Sequence, residues 1–507
     1  MRGTGSAVAR IGALLVLVLL LGVVVRLPWA GDLGVHAATI ERLRHDPLDP
    51  GDPLVAADTP SPYYTPWTLL LGCLAKASGL GVFVVLRIAA LVSLAVLASG
   101  VWAFVGGFMG GGAGGLGRGE GGRARRAAVA ALVLLCLVLL WGTALFNWSG
   151  FLGLNSLALT VAYPSTFALG ASFWLWALLR RATELWHLLG AGALWAVILL
   201  SHQFTGVVAS LGALAMVVGV RPWPGRAYWL RLGGGLALGL VLLAGWPYYP
   251  FFSLFGVDGL EEIHRPLYRD LAGRFWLVAV VGGAALVLRW RRERRDPLVL
   301  FCLLGLVVFV AGGASGHWSW GRVLPAVLIP AQVAAALEVF FAPRRAVRTA
   351  FAGVVAAALV VGAWTQSGTL GHVVPRGTLP AAIAAKYRTP WTGYHWITPW
   401  TAYGDVVLAK TFPARQIPAY GPYTVAPGYP DFFLGDEGAR DAAVRTYFAA
   451  RSTRAERLAV LRRYDVKWVV AYRSDGGLAG SDPALAKVAV GPRGQVLYQV
   501  GEAALRG

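Results

Sequence analysis

The chain has 507 residues, 57% of them hydrophobic and only 14% charged, with a mean hydropathy of +0.61. A soluble domain carries about a quarter charged residues, so the composition excludes a soluble globular enzyme and indicates an integral membrane protein with several spans. The net charge of +20 does not point to nucleic acid, because the arginines fall in short runs between apolar segments, as the positive-inside rule expects.

The first element is an apolar segment at 9–29, too long for a secretory h-region and without a small-x-small cleavage site before Arg26; it reads as an uncleaved span. Further spans are expected at 81–108, 127–147, 161–180, 186–201, 203–220, 232–249, 273–290, 297–313, 322–341 and 346–365. That makes about eleven transmembrane helices of the length a bilayer requires. With Arg2 and Arg10 placed in the cytoplasm, every second loop carries arginine: Arg118 to Arg126, Arg180 and Arg181, Arg221 to Arg231, Arg289 to Arg295, and Arg344 to Arg348. This alternation puts the 30–65 loop and everything after Trp364 outside. The stretch "GGFMGGGAGGLGRGEGGRARR" reads as a flexible cytosolic linker.

Between the first two spans, "GDLGVHAATIERL" places Asp32 and His36 four residues apart, on one side of a helix if 34–44 is helical. Asp32 then stands at that helix's N-terminus, where the macrodipole keeps a carboxylate ionised. Such a group suits a general base, a metal ligand or simply an N-cap, with His36 as a partner or an exposed surface residue. Asp46, Asp49 and Asp52 in "HDPLDPGDP" read as a solvated turn. Asp58 precedes "SPYYTPW", whose Tyr63 and Tyr64 suit an interfacial anchor or the edge of a sugar site. Pro66 to Gly79 is too short to cross and reads as an interfacial helix bounded by proline and glycine.

Other polar groups at outer span ends are His202, Glu261, Glu262, His264, His317 and Arg322. A charge there is costly unless paired or functional. Arg322 suits bidentate binding of a lipid phosphate, or snorkelling to headgroups. From Gln366 the chain reads as a small α/β domain: "DVVLAK" and "VKWVVAYR" are strand-like, and "STRAERLAVLRRYD" is a helix with Thr453 and Glu456 as capping box. It carries no dinucleotide fingerprint and no nucleophile elbow. The three cysteines, Cys73, Cys136 and Cys302, are too scattered for a disulfide framework or zinc site.

The run from "GD…H" after the first span through "SPYYTPWTLLLGCLAKASG" to "VFVVLRIAALVSLAVL" resembles the start of the GT-C membrane glycosyltransferases. These include lipid A aminoarabinose transferases, protein mannosyltransferases and arabinofuranosyltransferases. The resemblance implies an α-helical polytopic catalytic module, here residues 1–365, whose outer loop 30–80 carries the site, and an extracytoplasmic α/β domain at 366–507. It implies a polyprenyl-phosphate-linked sugar as donor and a glycan, lipid or protein of the cell envelope as acceptor, in a bacterial cell membrane. Asp32 would be the base, with His36, Asp58, Tyr63, Tyr64, His202, Glu262, His264, His317 and Arg322 binding substrate or phosphate. The protein mannosyltransferases have Asp-Glu where this chain has Asp32-Leu33, which leaves a divalent metal open. A lipid or glycan transporter, or an inactive scaffold, is the competing reading. The transporter would need ionisable groups at mid-membrane, and these are scarce.

Overall fold

The computed structural model describes residues 4–109, 120–181, 183–219, 223–256 and 260–502. Residues 110–119 of the expected linker at 106–126, including Arg118, lie outside the described residues, as does Arg221; the two ends of that linker are helical instead, in Val82–Met109 and Glu120–Leu139. Two compact units are present, one of residues 1–28, 89–245 and 255–389, the other of 29–88, 246–254 and 390–507.

The first unit is helical. Helix α1 (Thr4–Arg26) leads into it, and every expected span overlaps a helix, although the one expected at 127–147 ends at Leu139. Seven described helices are long and apolar enough to cross a bilayer, from Ala7–Arg26 to Arg345–Thr365. Pro164–Leu179, Leu185–Ser201 and Gln203–Val218 are apolar but shorter. The helix over Leu271–Arg292 is not uniform: a π turn at Val278–Gly282 interrupts it. Leu324–Phe341 is the most enclosed span, and its Glu338 is fully buried. A lone carboxylate there would be costly. Arg289 at 3.6 Å and Arg292 both pair with it, and Arg289 also holds Asp296 at 2.6 Å.

The second unit combines the first long loop with the C-terminal chain. Its loop part holds α2 (Leu33–His45) and α3 (Pro66–Ser78). Helix α3 matches the expected short helix: Thr65 caps it reciprocally with Thr68, Pro66 opens it, and Gly79 closes it in the left-handed region. Helix α4 (Val82–Met109) follows. The C-terminal part forms one mixed sheet of order β2-β1-β3-β5-β4. The strands are β1 (Val406–Leu408), β2 (Tyr423–Thr424), β3 (Val466–Tyr472), β4 (Leu485–Val490) and β5 (Gln495–Val500). β1 runs parallel to β2 and β3; β5 runs antiparallel to β3 and β4. The helix Arg454–Arg463 starts at the expected capping box of Thr453 and Glu456 and delivers the chain to β3.

Two features join loop and sheet. The Thr424 amide of β2 donates to the Leu54 carbonyl at 2.9 Å. Arg42 of α2 is fully buried, and its two terminal nitrogens donate to the Gly421 and Pro422 carbonyls at 2.7 and 2.8 Å. The guanidinium lies over the Tyr423 ring at 3.6 Å and near Tyr403 at 4.8 Å. Hydrogen bonds to a charged donor are worth roughly 1.5–3 kcal/mol, and removing one partner strands the buried others. Arg42→Met keeps the length of the stem but removes both donors. It is expected to cost at least about 2 kcal/mol and to make the 390–507 segment measurably more protease-sensitive than in the parent protein in detergent.

Candidate functional site

Asp32 ends the connection from α1 and immediately precedes α2. Its backbone stands at the N-cap position (φ −88°, ψ 10°), yet its side chain makes no capping hydrogen bond. The residue is exposed. Tyr429 fixes the approach, its hydroxyl donating to the Gly31 carbonyl at 2.8 Å. Gly34 permits this packing, because a Cβ there would stand 1.8 Å from the Arg415 carbonyl oxygen and 3.2 Å from the Tyr429 hydroxyl. The Arg415 guanidinium in turn lies 5.4 Å from the Tyr429 ring.

Burial, and after it the Asp32 carboxylate, pushes the Tyr63 and Tyr429 hydroxyls well above the usual phenol range. Both therefore face Asp32 as neutral hydroxyls. Tyr63 also donates to the Pro430 carbonyl at 3.2 Å. Tyr64 is only 2% exposed, packs 5.6 Å from Tyr248, and accepts through its carbonyl from the Trp246 indole. It is a core residue of this unit, where an interfacial anchor was expected. His36 departs from the exposed-surface expectation: its Nδ1 is buried, and desolvation lowers its pKa to about 3, leaving a neutral ring. Asp58 is exposed.

The expectation that Asp46, Asp49 and Asp52 all belong to a solvated turn is corrected at one position. Asp46 and Asp49 are exposed, but Asp52 is fully buried. Its Oδ1 accepts the Leu54 and Val55 amides at 2.8 Å each, a local turn that a proline-rich sequence conceals. Asp52 lies close to Asp431, a residue only 3% exposed. Burial first, then the Asp52 carboxylate, pushes Asp431 up to about 8. Glu437 accepts the Asp431 amide at 3.2 Å and is itself raised by burial.

In the helical unit, three expected residues come together. His202 caps the helix Gln203–Val218, accepting the Thr205 amide, and its Nε2 stands 3.4 Å from Arg322. Arg322 is 8% exposed, reaches Ser149 Oγ at 3.4 Å, and lies over the rings of Phe204 at 4.8 Å and Trp148 at 5.6 Å. His264 packs against the same rings, 5.2 Å from Phe204 and 5.7 Å from Trp148. Burial, and next the charge of Arg322, lowers His264 to about 4. A guanidinium held this way is partly desolvated yet supported by aromatic faces. Glu262 and His317 do not join them. Glu262 is exposed and pairs with Arg265 at 3.6 Å, and His317 bonds Ser315 and stacks on Trp320. Glu261 instead accepts from the Ser319 amide and hydroxyl. Among the described residues no group of three or more His, Cys, Asp or Glu could hold a metal ion.

Sequence reasoning missed Arg42, Tyr429, Asp431, Trp148 and Ser149. "NWSG" carried a weak signal, polar and aromatic residues just after an apolar run. The other three had none locally.

No family model matches the sequence, and no curated protein sequence matches it. Solved structures do. ArnT from Cupriavidus metallidurans bound to undecaprenyl phosphate superposes with a TM-score of 0.56 at 16% identity, covering 100% of both chains. The apo form gives a TM-score of 0.54. The arabinofuranosyltransferase AftD from Mycobacteria gives a TM-score of 0.54 at 19% identity, covering 98% of this chain and 40% of that one.

The fold is that of the GT-C glycosyltransferases. This GT-C-like chain spans less than half the length of the mycobacterial neighbour and the whole length of ArnT.

The Asp431 environment gives a pH dependence with a definite sign. Unfolded, the carboxyl loses its proton near pH ~4; folded, it keeps it to about 8. Its stabilisation is therefore full below the unfolded value and is lost as pH rises through the folded one. Thermal unfolding followed by tryptophan fluorescence should show a midpoint that falls between about pH 5 and 9. Asp431→Asn, a neutral donor of equal size, should flatten that slope.

Proposed function

We propose that the chain is a membrane glycosyltransferase that takes a sugar from a polyprenyl-phosphate donor and passes it to an extracytoplasmic acceptor of the cell envelope. The observation that carries this reading is Asp32: in a GT-C-like fold it stands exposed at the start of α2, and its carboxylate does not cap that helix. Asp32 then acts as general base on the acceptor hydroxyl, which attacks the anomeric carbon. Neutral Tyr63, Tyr429 and His36 shape its surroundings without competing for its charge.

Arg322, in the helical unit, is read as the ligand of the donor phosphate. The leaving group is a lipid phosphate, and a desolvated, preorganised guanidinium stabilises the charge that develops on it. His202 and Ser149, both within 3.4 Å of Arg322, extend the donor set, and His264 completes the aromatic wall. Neutrality of His264 follows from its lowered pKa and leaves Arg322 as the cation there. Asp58, Glu262 and His317, all exposed, remain as substrate contacts outside these two groups. The donor is membrane-borne, which fits the apolar helices, and α2 and α3 are read as interfacial helices.

Two experiments test the reading. Asp32→Asn should lower transfer by about 10²–10⁴-fold when release of undecaprenyl phosphate is measured from a panel of undecaprenyl-phosphate-linked pentoses and hexoses, with the thermal midpoint unchanged. In the same preparation Arg322→Ala should weaken undecaprenyl phosphate binding by roughly tenfold or more, with Arg322→Lys recovering part, because lysine lacks the planar fork. Wild-type release by a folded Asp32→Asn protein removes the catalytic assignment; unchanged lipid binding by Arg322→Ala removes the clamp.

The orientation is read from the arginine alternation: N-terminus cytoplasmic, residues 30–80 and the 390–507 segment outside. In a Cys73→Ser background, a cysteine at Ser474 should react with an impermeant maleimide in intact cells. One at Arg123 should react only after permeabilisation. Equal labelling overturns the orientation.

A further inference from the structure

The second unit holds a cavity that the transfer reading does not use. It encloses about 420 Å³ on the helix-bearing face of the sheet, within the ~300–1,000 Å³ range of small-molecule sites. Its floor is the β3 residues Val469 and Ala471 with Leu485 of β4, and its wall includes Tyr447, Tyr498, Arg473 and Lys487. Lys487 and Tyr498 are direct cross-strand partners of β4 and β5, so their side chains rise from one face.

The loop that follows β3 closes one side. Gly477 has φ +95°, and a Cβ there would stand 2.8 Å from the Tyr447 ring, so the loop backbone lies against that ring only as glycine. Tyr447 is 1% exposed, and its hydroxyl has no hydrogen bond of good geometry.

The charge balance selects the ligand. Arg473 and Lys487 line the cavity and no carboxylate does. The two acids of the neighbouring loop are turned to other partners: Asp475 pairs with Lys410 at 2.8 Å, and Asp482 with Arg454 at 2.8 Å. Neither Arg473 nor Lys487 takes part in an ion pair among the described residues. A bare anion would leave most of the volume and the tyrosine rings unused. A neutral sugar would leave both cations uncompensated.

We propose that this cavity binds an anionic saccharide unit, a sugar ring bearing a carboxylate or phosphate, with Lys487 and Arg473 on the acidic group and Tyr498 against the ring. It is a binding subsite separate from Asp32. It builds on the transferase reading only in that an envelope glycan is a natural source of such a unit.

The test is equilibrium binding by saturation-transfer NMR and calorimetry to the full chain in nanodiscs, using glucuronate, glucose 6-phosphate, glucose and inorganic phosphate as probes. Glucuronate or glucose 6-phosphate should bind at least about tenfold tighter than glucose and inorganic phosphate, and the tighter of the two identifies the acidic group. Lys487→Gln, an exposed change that keeps the fold, should weaken that binding about tenfold. Tyr498→Ala should weaken it and abolish transfer of magnetisation to the sugar-ring protons. Arg451→Gln, outside the cavity, should change nothing. Inorganic phosphate binding as well as glucose 6-phosphate, no saturable binding of either acidic sugar, or an equal effect of Arg451→Gln overturns the proposal. Because the readout is binding and Asp32 is untouched, failure here leaves the transfer reading standing, and failure of Asp32→Asn leaves this one standing.

Discussion

The buried guanidinium of Arg42 is the constraint on which the second unit depends. A charge taken fully out of water must find its hydrogen bonds in the fold. Here it finds two main-chain carbonyls 379 and 380 residues along the chain, and two tyrosine rings. The carbonyls of Gly421 and Pro422 lie just before β2, so satisfying the arginine pins α2 to the sheet. Gly34, Tyr429 and Arg415 then pack in the order the geometry allows, and Asp32 inherits a fixed position from the helix it precedes. The adjacent Glu41 and Arg42 thus divide their work: Glu41 turns to Arg44 and His45 near the surface, whereas Arg42 turns inward.

How much of this was legible follows from whether the cause was local. Spans, the short helix α3, the strand β3 and the capping box at Thr453 are set by runs and spacings of neighbouring residues, and the sequence shows them. The GT-C-like fold was legible too, from the loop after the first span and the number of apolar segments. Arg42 looked like any other arginine of an amphipathic helix, since its partners are hundreds of residues away. Asp52 was misread because "DPLDPGDP" has the composition of a solvated turn, and only Asp431 at close range shows that one of its acids is inside. The π turn in Leu271–Arg292 leaves no compositional mark in an apolar run. Of the candidate site residues, His202, His264 and Arg322 proved to be neighbours, while Glu262 and His317, equally polar and equally close to span ends, did not. Position at a span end says that a group is near the interface, and says nothing of which way it turns.

The two chemical groups are held by opposite electrostatic strategies. Arg322 is largely withdrawn from water and rests on Phe204 and Trp148, with His202 and a neutral His264 beside it. Aromatic faces lower the cost of desolvating the cation without neutralising it, so its attraction for an anion is stronger than a hydrated lysine could offer. The arginines that bind Glu338 are set differently, each paired with that buried carboxylate. In the transfer proposed above, the same residue type serves as a structural tie in one place and as a phosphate ligand in the other.

Asp32 is exposed instead, and the tyrosines and histidine beside it are neutral. Tyr63 and Tyr429 are held far from ionisation in part by the aspartate itself, and His36 is too desolvated to accept a proton. A base needs its negative charge to remain its own. A protonated histidine one turn along would have lowered its basicity, and a capping bond to the first amides of α2 would have done the same. The fold avoids both, by burying His36 and by leaving the carboxylate out of the cap, while the helix N-terminus still favours the anion. In the transfer proposed above, that arrangement leaves the Asp32 carboxylate placed to take a proton from an incoming hydroxyl, at a helix start but outside the cap.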